Sequence, residues 1–118
     1  MKTSYFFSNK LTKEDNLVSI SISPPKKIME KLPNIYIYSK LCPSWNLVQS
    51  YKLGKINEQR YVELYSSIIL NKLSARTVYD ELRSDAILLC WERPEKFCHR
   101  HIVANWLSTI LEIKIEEL

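Results

Sequence analysis

Glycine is nearly absent from this chain of 118 residues, which contains Gly54 and no other. Phosphate-binding loops of the Walker type and dinucleotide-binding fingerprints each need more than one glycine, so both motifs are excluded. The same scarcity argues against flexible linkers and low-complexity segments. We therefore predict no cofactor held by a glycine-rich loop, and no other cofactor motif is present.

Long apolar runs are also missing. No segment approaches the roughly 18 apolar residues that a transmembrane helix requires, and the first ten residues lack the apolar stretch of a signal peptide. The chain has three cysteines, an odd number that would leave one over in a disulfide framework. These features predict a cytoplasmic protein with reduced thiols and no membrane partner.

Positive charge is concentrated in the first half of the chain. Residues 1–56 carry nine lysines against three acidic residues, whereas residues 57–118 carry eight basic and ten acidic residues. Such asymmetry suggests an anionic partner, and nucleic acid is one candidate. Because the lysines are scattered, an ordinary solvated surface explains them equally well. The oligomeric state is left open.

Hydrophobic periodicity predicts an α/β protein. Alternation or a continuous apolar run predicts strands at 4–7, 17–23, 35–39, 86–90 and 113–115. Apolar residues at helical spacing predict helices at 45–53, 58–73, 75–83 and 98–110. The first three of these helices begin after the N-cap residues Ser44, Asn57 and Ser74. Strands interleaved with helices predict a single three-layer α/β domain over residues 1–118, with a mostly parallel sheet.

Chemically useful side chains crowd into residues 88–101, LLCWERPEKFCHRH, which hold two of the three cysteines and both histidines. Ligands of parallel sheets bind beyond the carboxyl ends of the strands, where Cys90 and Glu92 are expected. The helix predicted to follow presents free amides at residues 98–100, and Arg100 adds a forked donor, so an anion is expected there. Alternatively, Arg100 pairs with Glu92 across the loop and has only the structural role of holding the turn in place.

The same segment raises two other chemistries, metal binding and catalysis. A metal is not predicted, because His99 and His101 point to opposite sides of a helix and the seven residues between Cys90 and Cys98 match no common zinc spacing. Cys98 at a helix start beside His99 is a candidate nucleophile, although no third orienting group is evident. Glu92 is a candidate general acid or base, or simply a solvated carboxylate.

The segment LLCWERPEKFCHRHIVANWL resembles the Cys-His-Arg signature of the domain of unknown function 488 family, in its short form. Further blocks resemble that form in the same order along nearly the whole chain: SYFF, SISISPPK, KLCPSW, YKLG and the Tyr61/Tyr65 pair. The resemblance implies an α/β fold and an origin in bacteria or their phages. It also implies a polar site formed by Cys90, Glu92, Cys98, His99 and Arg100, with Ser21 and Lys26 nearby. Longer members carry Asp-x-Arg at the second strand, where this chain has Ser19-Ile20-Ser21.

Together these observations predict a small binding protein for a phosphorylated, nucleotide-like ligand. Arg100 and the main-chain amides of residues 98–100 would hold the anion. The neighbouring strand end would extend the positive side through Ser21, Ser23 and Lys26, and a base would stack on Tyr5, Trp45 or Trp91. The family analogy adds that a phage chain of this size would suit sequestration of a host nucleotide signal.

Two alternatives remain. The first is an enzyme acting on a nucleotide or nucleic-acid bond, with Cys98 as nucleophile or Glu92 as acid or base. The second is a nucleic-acid-binding module that uses the basic first half of the chain.

Overall fold

A computed structural model describes all residues, 1–118, and shows five parallel strands in one sheet. The strands are β1 (Lys2–Tyr5), β2 (Asn16–Ser19), β3 (Tyr36–Ile37), β4 (Ala86–Cys90) and β5 (Glu116–Glu117). Their spatial order is β3-β2-β4-β1-β5, so β4 lies at the centre. The predicted α/β class and the parallel sheet are confirmed. Because all strands run in one direction, their carboxyl ends meet at one edge.

Five helices connect these strands: α1 (Lys26–Lys31), α2 (Trp45–Lys52), α3 (Glu58–Ile68), α4 (Ala75–Leu82) and α5 (His99–Leu111). The three predicted N-caps are confirmed, since the side chains of Ser44, Asn57 and Ser74 accept from the amides three residues ahead. Gly54 follows α2 with φ of 74°, the left-handed conformation that glycine adopts without a steric penalty. None of the helices has the length and apolar character needed to cross a bilayer.

The helices form unequal layers on the two faces of the sheet. On one face, Val18, Ile20 and Leu88 pack against the apolar sides of α2 to α5. On the other face, Leu17 and Leu89 pack against α1 and against the connection that follows β1. This alternation along β2 and β4 buries both faces, as expected for a parallel sheet. The three-layer arrangement is therefore confirmed, with α1 as the only helix of its layer.

Several element boundaries differ from the predictions. The second strand ends at Ser19 rather than at residue 23, because the Ser19 hydroxyl accepts from the Ser21 amide at 3.1 Å and donates to the Ser21 carbonyl at 2.6 Å. Such local bonds compete with a strand ladder. The long predicted helix of residues 58–73 ends at Ile68 and is followed by a 3-10 turn over Leu70–Lys72. The helix α1 was not predicted, since six residues are too few to show a helical period.

The first and last strands of the chain also differ from their predicted bounds. Strand β1 begins at Lys2, two residues before the predicted start, and Phe6 continues its ladder only through a bond from its amide to the Cys90 carbonyl. The last strand is Glu116–Glu117, not the apolar alternation of residues 113–115. Its register pairs Glu117 with Thr3, which brings the Glu117 carboxylate to hydrogen-bonding partners inside the protein.

Candidate functional site

The carboxyl edge of the sheet carries an open cleft of about 460 Å³. We call it the aromatic cleft and define it by its lining residues, which are Tyr5, Phe7, Trp91, Glu92, Arg93, Glu95 and Lys96. Tyr5 ends β1 and pairs with Cys90 at the end of β4, so the loops after these two neighbouring strands form the cleft together. This is the edge at which parallel α/β sheets bind their ligands.

Trp91 is fixed in position at the cleft although 44% of it is exposed. Its ring lies edge-on to Phe6 with centroids 5.9 Å apart, and Phe7 lies 6.2 Å away. Its indole N–H donates to the Ser23 carbonyl at 3.0 Å, which ties the loop after β4 to the loop after β2. A partly exposed ring with its N–H already bonded presents an apolar face to solvent.

Arg100 is not at the surface of this cleft. Its side chain is fully buried, and its donors reach the Glu117 carboxylate at 2.8 and 3.2 Å and the main-chain carbonyl of Glu92 at 2.7 Å. Glu117 also accepts from the Thr3 hydroxyl at 2.5 Å. The expected pairing with Glu92 therefore exists through the backbone only, and Glu117 is the charged partner. The Arg100 guanidinium thus holds in place the turn after β4, through Glu92, and the last strand, through Glu117.

The protonation of Glu117 follows from these contacts. Burial raises the pKa of its carboxyl, but the hydrogen bonds from Arg100 and Thr3 outweigh burial and hold the pKa below its usual range. The Glu117 carboxyl is therefore ionised at neutral pH, and an anionic ligand at Arg100 would have to displace a carboxylate that is already there.

Cys90, Cys98 and His99 form a buried cluster where β4 ends and α5 begins. The two sulfurs are paired as in a disulfide, in contrast to the reduced thiols predicted from the sequence, and the His99 Nδ1 lies 3.3 Å from the Cys90 Sγ and 3.9 Å from the Cys98 Sγ. The other ring nitrogen, Nε2, donates to the Ile20 carbonyl at 2.6 Å. That carbonyl is the orienting group that the sequence did not reveal.

Burial also sets the charge of His99. Desolvation lowers the pKa of its imidazole to about 4, so the ring is neutral at neutral pH. Because the N–H at Nε2 donates a hydrogen bond to the Ile20 carbonyl, Nδ1 presents a lone pair to the two sulfurs. Tyr65 packs against the ring from α3, with centroids 5.6 Å apart. The cluster is a set of soft donors shielded from solvent.

The structure separates the predicted site residues into three groups. Tyr5 and Glu92 line the aromatic cleft. Cys98, His99 and Arg100 are buried. The remaining residues follow β2: Ser21, which is bonded to Ser19, and the exposed Ser23 lie on the connection to α1, and the exposed Lys26 is the first residue of α1. Trp45 is exposed at the start of α2 and does not line the cleft.

Sequence reasoning missed four residues of the cleft: Phe7, Arg93, Glu95 and Lys96. The signal for three of them was their place in the loop directly after the central strand. Phe7 carried no such signal, because the sequence predicts it inside a strand, whereas β1 ends at Tyr5 and Phe7 is 52% exposed.

No curated protein and no solved structure matches the chain. The sequence profile described as the active DUF488-N3 subclade, DUF488-N3a, matches residues 6–111, which include both loops of the cleft and the buried cluster. The match covers nearly the whole chain and agrees with the resemblance of its Cys-His-Arg segment. The chain therefore belongs to the DUF488 family.

Proposed function

We propose that this protein binds a phosphorylated, nucleotide-like small molecule in the aromatic cleft. The observation that carries the proposal is the pairing of exposed aromatic rings, Trp91 and Phe7, with the cations Arg93 and Lys96 in one cleft. Aromatic faces stack on nucleobases, and arginine and lysine bind phosphate. A concave site of several hundred Å³ is of the size that small ligands occupy.

The charges of the cleft narrow the ligand class. None of the five ion pairs of the structure involves Arg93 or Lys96, so both cations are available to a phosphate. Glu92 and Glu95 balance them, which disfavours a highly charged polyphosphate. Carboxylates accept hydrogen bonds from sugar hydroxyls and from exocyclic amines. A nucleoside monophosphate, or a signal nucleotide of similarly low charge, fits this pattern best.

Arg100 has an indirect role in this proposal. By donating to the Glu92 carbonyl it holds the loop from which Trp91, Glu92 and Arg93 project. It is a positioning residue and does not contact the phosphate, which revises the role expected from the sequence. The Lys26 ammonium with Ser21 and Ser23 would contact only a ligand that extends past Trp91.

Calorimetric titration with a panel of nucleoside monophosphates and cyclic nucleotides tests the proposal. Stacking contributes roughly 1–3 kcal/mol per base, so Phe7→Ala is expected to weaken binding by about five- to a hundredfold. Loss of a charge-assisted bond costs roughly 1.5–3 kcal/mol, so Arg93→Ala and Lys96→Ala should each weaken it by about ten- to a hundredfold. Trp45→Ala is the control, because this tryptophan is exposed outside the cleft. Equal losses in the control, or no binding by the wild type, would contradict the proposal.

An enzyme on the same cleft is the second candidate, favoured by the description of the matched subclade as active. Glu92 is the residue that would act as acid or base, because it lines the cleft, whereas Cys98 is buried. Mass spectrometry after incubation with the same nucleotides separates the two candidates. Product that disappears in Glu92→Gln would establish turnover.

The biological setting rests on family analogy alone. A cytoplasmic phage protein that sequesters a host nucleotide signal is the role we propose on that basis. The nucleic-acid module remains an outcome of the same titrations. It would bind an oligonucleotide with steep salt dependence and without sensitivity to Phe7→Ala.

A further inference from the structure

We propose that Cys90, Cys98 and His99 bind one zinc ion through two sulfur atoms and the imidazole Nδ1. The site is distinct from the residues that line the aromatic cleft, and the inference does not depend on the ligand proposed there. It departs from the sequence expectation, in which the spacing of the two cysteines argued against a metal.

The two sulfur–nitrogen distances fit a tetrahedral zinc ion, whereas the two sulfurs, which are in contact, must separate to about 3.8 Å for both to bind it. Zinc takes sulfur at about 2.3 Å and imidazole nitrogen at about 2.0–2.1 Å, so the sulfur and nitrogen ligands of one ion lie about 3.6 Å apart. The two observed separations, 3.3 Å from Cys90 and 3.9 Å from Cys98, bracket that value. All three donor atoms lie within 4.8 Å of one another.

The histidine is oriented as a metal ligand would be. Histidines that bind metals usually donate their second ring N–H to a carbonyl or carboxylate, which fixes the ring and its tautomer. His99 donates Nε2–H to the Ile20 carbonyl, so its free lone pair at Nδ1 is directed at the two sulfurs. The packing of Tyr65 against the ring holds it there.

The two cysteines can bind a metal only when they are reduced to separate thiolates. Their Cα atoms are 7.2 Å apart, at the outer limit for a disulfide, although their sulfurs are in the contact that a disulfide would make. Two thiolates buried together would be costly without a cation, and a divalent ion neutralises both. Binding releases the two thiol protons to solvent and changes no oxidation state.

The connection between β4 and α5 explains why the long spacing is no obstacle. Common zinc motifs hold their cysteines in one tight turn. Here Cys90 is the last residue of a strand and Cys98 precedes the first residue of the helix that packs back on that strand. The loop of residues 91–97 leaves and returns between them, so the sulfurs converge although seven residues intervene.

Metal analysis of the full chain, purified with a reductant and supplied with equimolar zinc before gel filtration, tests the inference. We expect about one zinc per chain in the wild type. Cys90→Ser and Cys98→Ser should each reduce the zinc content at least tenfold. Cys42→Ser is the matched control, because Cys42 is equally buried but lies outside the cluster, and it should keep its zinc.

Titration of the wild type with cobalt(II) gives a second readout that needs no variant and does not depend on whether the variants fold. The expected result is a thiolate-to-cobalt charge-transfer absorption that saturates at equimolar metal and is displaced by zinc. Absence of this absorption, or a closed Cys90–Cys98 disulfide in the reductant-treated protein, would overturn the inference. Zinc retained in both cysteine variants would overturn it as well.

Discussion

Arg100 shows how one side chain can carry charge into the interior without acting as a ligand-binding group. It is the largest fully buried side chain of the protein, and its charge is balanced by Glu117, which reaches it from the last strand. The main-chain carbonyl of Glu92 takes a further donor. A buried cation with its hydrogen bonds satisfied costs little, but the same cation without its partner costs several kcal/mol.

Removing one member of this pair is therefore expected to destabilise the protein. We expect Arg100→Ala to lower the free energy of unfolding by about 3 kcal/mol, because Glu117 would remain partly buried without a counter-ion. Urea unfolding followed by circular dichroism measures the change. The exposed pair of Lys114 and Glu116 provides the control, since Lys114→Ala should change stability by less than about 0.5 kcal/mol. An Arg100→Ala protein with wild-type stability would show that the pair is not structural.

The same carboxylate predicts a dependence of stability on pH. The pKa of Glu117 in the folded protein lies below the ordinary carboxyl value of 4.5. Its contribution to stability is thus fully present above about pH 4.5 and is lost as the pH falls through the folded pKa. The difference in stability between the wild type and Glu117→Gln should be constant from pH 7 to about pH 5 and shrink below pH 4.5. A difference that grows on acidification would contradict this assignment.

At the scale of elements, three of the helices begin at residues whose side chains cap them. Asn57 accepts from the Arg60 amide at 2.8 Å, and Ser44 and Ser74 make the corresponding bonds at 3.2 and 3.3 Å. Each of these bonds satisfies an amide that the helix itself leaves unpaired. Cys98, by contrast, makes no side-chain cap at the start of α5, which is consistent with its sulfur facing the cluster instead.

A cap contributes a defined increment of stability. Asn57→Ala is expected to lower the free energy of unfolding by about 1 kcal/mol, because the Arg60 amide loses its acceptor. The measurement is chemical denaturation at neutral pH. Asn105→Ala is the matched control, since Asn105 is exposed within α5 and alanine favours the helix. It should be neutral or slightly stabilising, and an equal loss at both positions would rule out capping as the cause.

At the scale of the whole molecule, one sheet joins two hydrophobic clusters of unequal size. Leu88 faces α2 to α5, and Leu89 faces α1, yet both belong to the central strand. Strand β4 pairs with β1 on one side and β2 on the other, so neither layer is expected to unfold without disturbing the other.

Truncating a leucine on either face of the sheet should therefore lower the free energy of unfolding of the whole protein, which is expected to unfold in a single cooperative transition. Leu88→Ala and Leu89→Ala are each expected to cost about 2–5 kcal/mol, because both side chains are fully buried. Leu53→Ala, at an exposed position, should cost less than about 0.5 kcal/mol. Tryptophan fluorescence and circular dichroism should give coincident unfolding curves in all variants. Two separated transitions in Leu89→Ala would indicate that the smaller layer unfolds by itself.

Prediction from the sequence was most accurate where the decisive forces are local. The bounds of the central strand and the N-caps of three helices follow from hydrophobic pattern and from bonds that span three residues. The α/β class and the parallel sheet follow from the order of these elements. Even within this range, the helix α1 was not predicted, because six residues are too few to show a helical period. The early end of β2 was not predicted either, because the side-chain bonds of Ser19 outweigh a weak strand pattern.

Only the tertiary structure decided which partners the polar side chains have. The sequence by itself determined that residues 88–101 concentrate cysteine, histidine and arginine after a buried strand. It could not determine that Glu117 would reach Arg100, because that contact depends on β5 crossing to the far side of β1. Nor could it determine that Cys90 and Cys98 would meet, or that Phe7 and Trp91 would form one cleft. These pairs are close because strands distant in the chain are neighbours in the sheet, and that proximity arises from the packing of both faces at once.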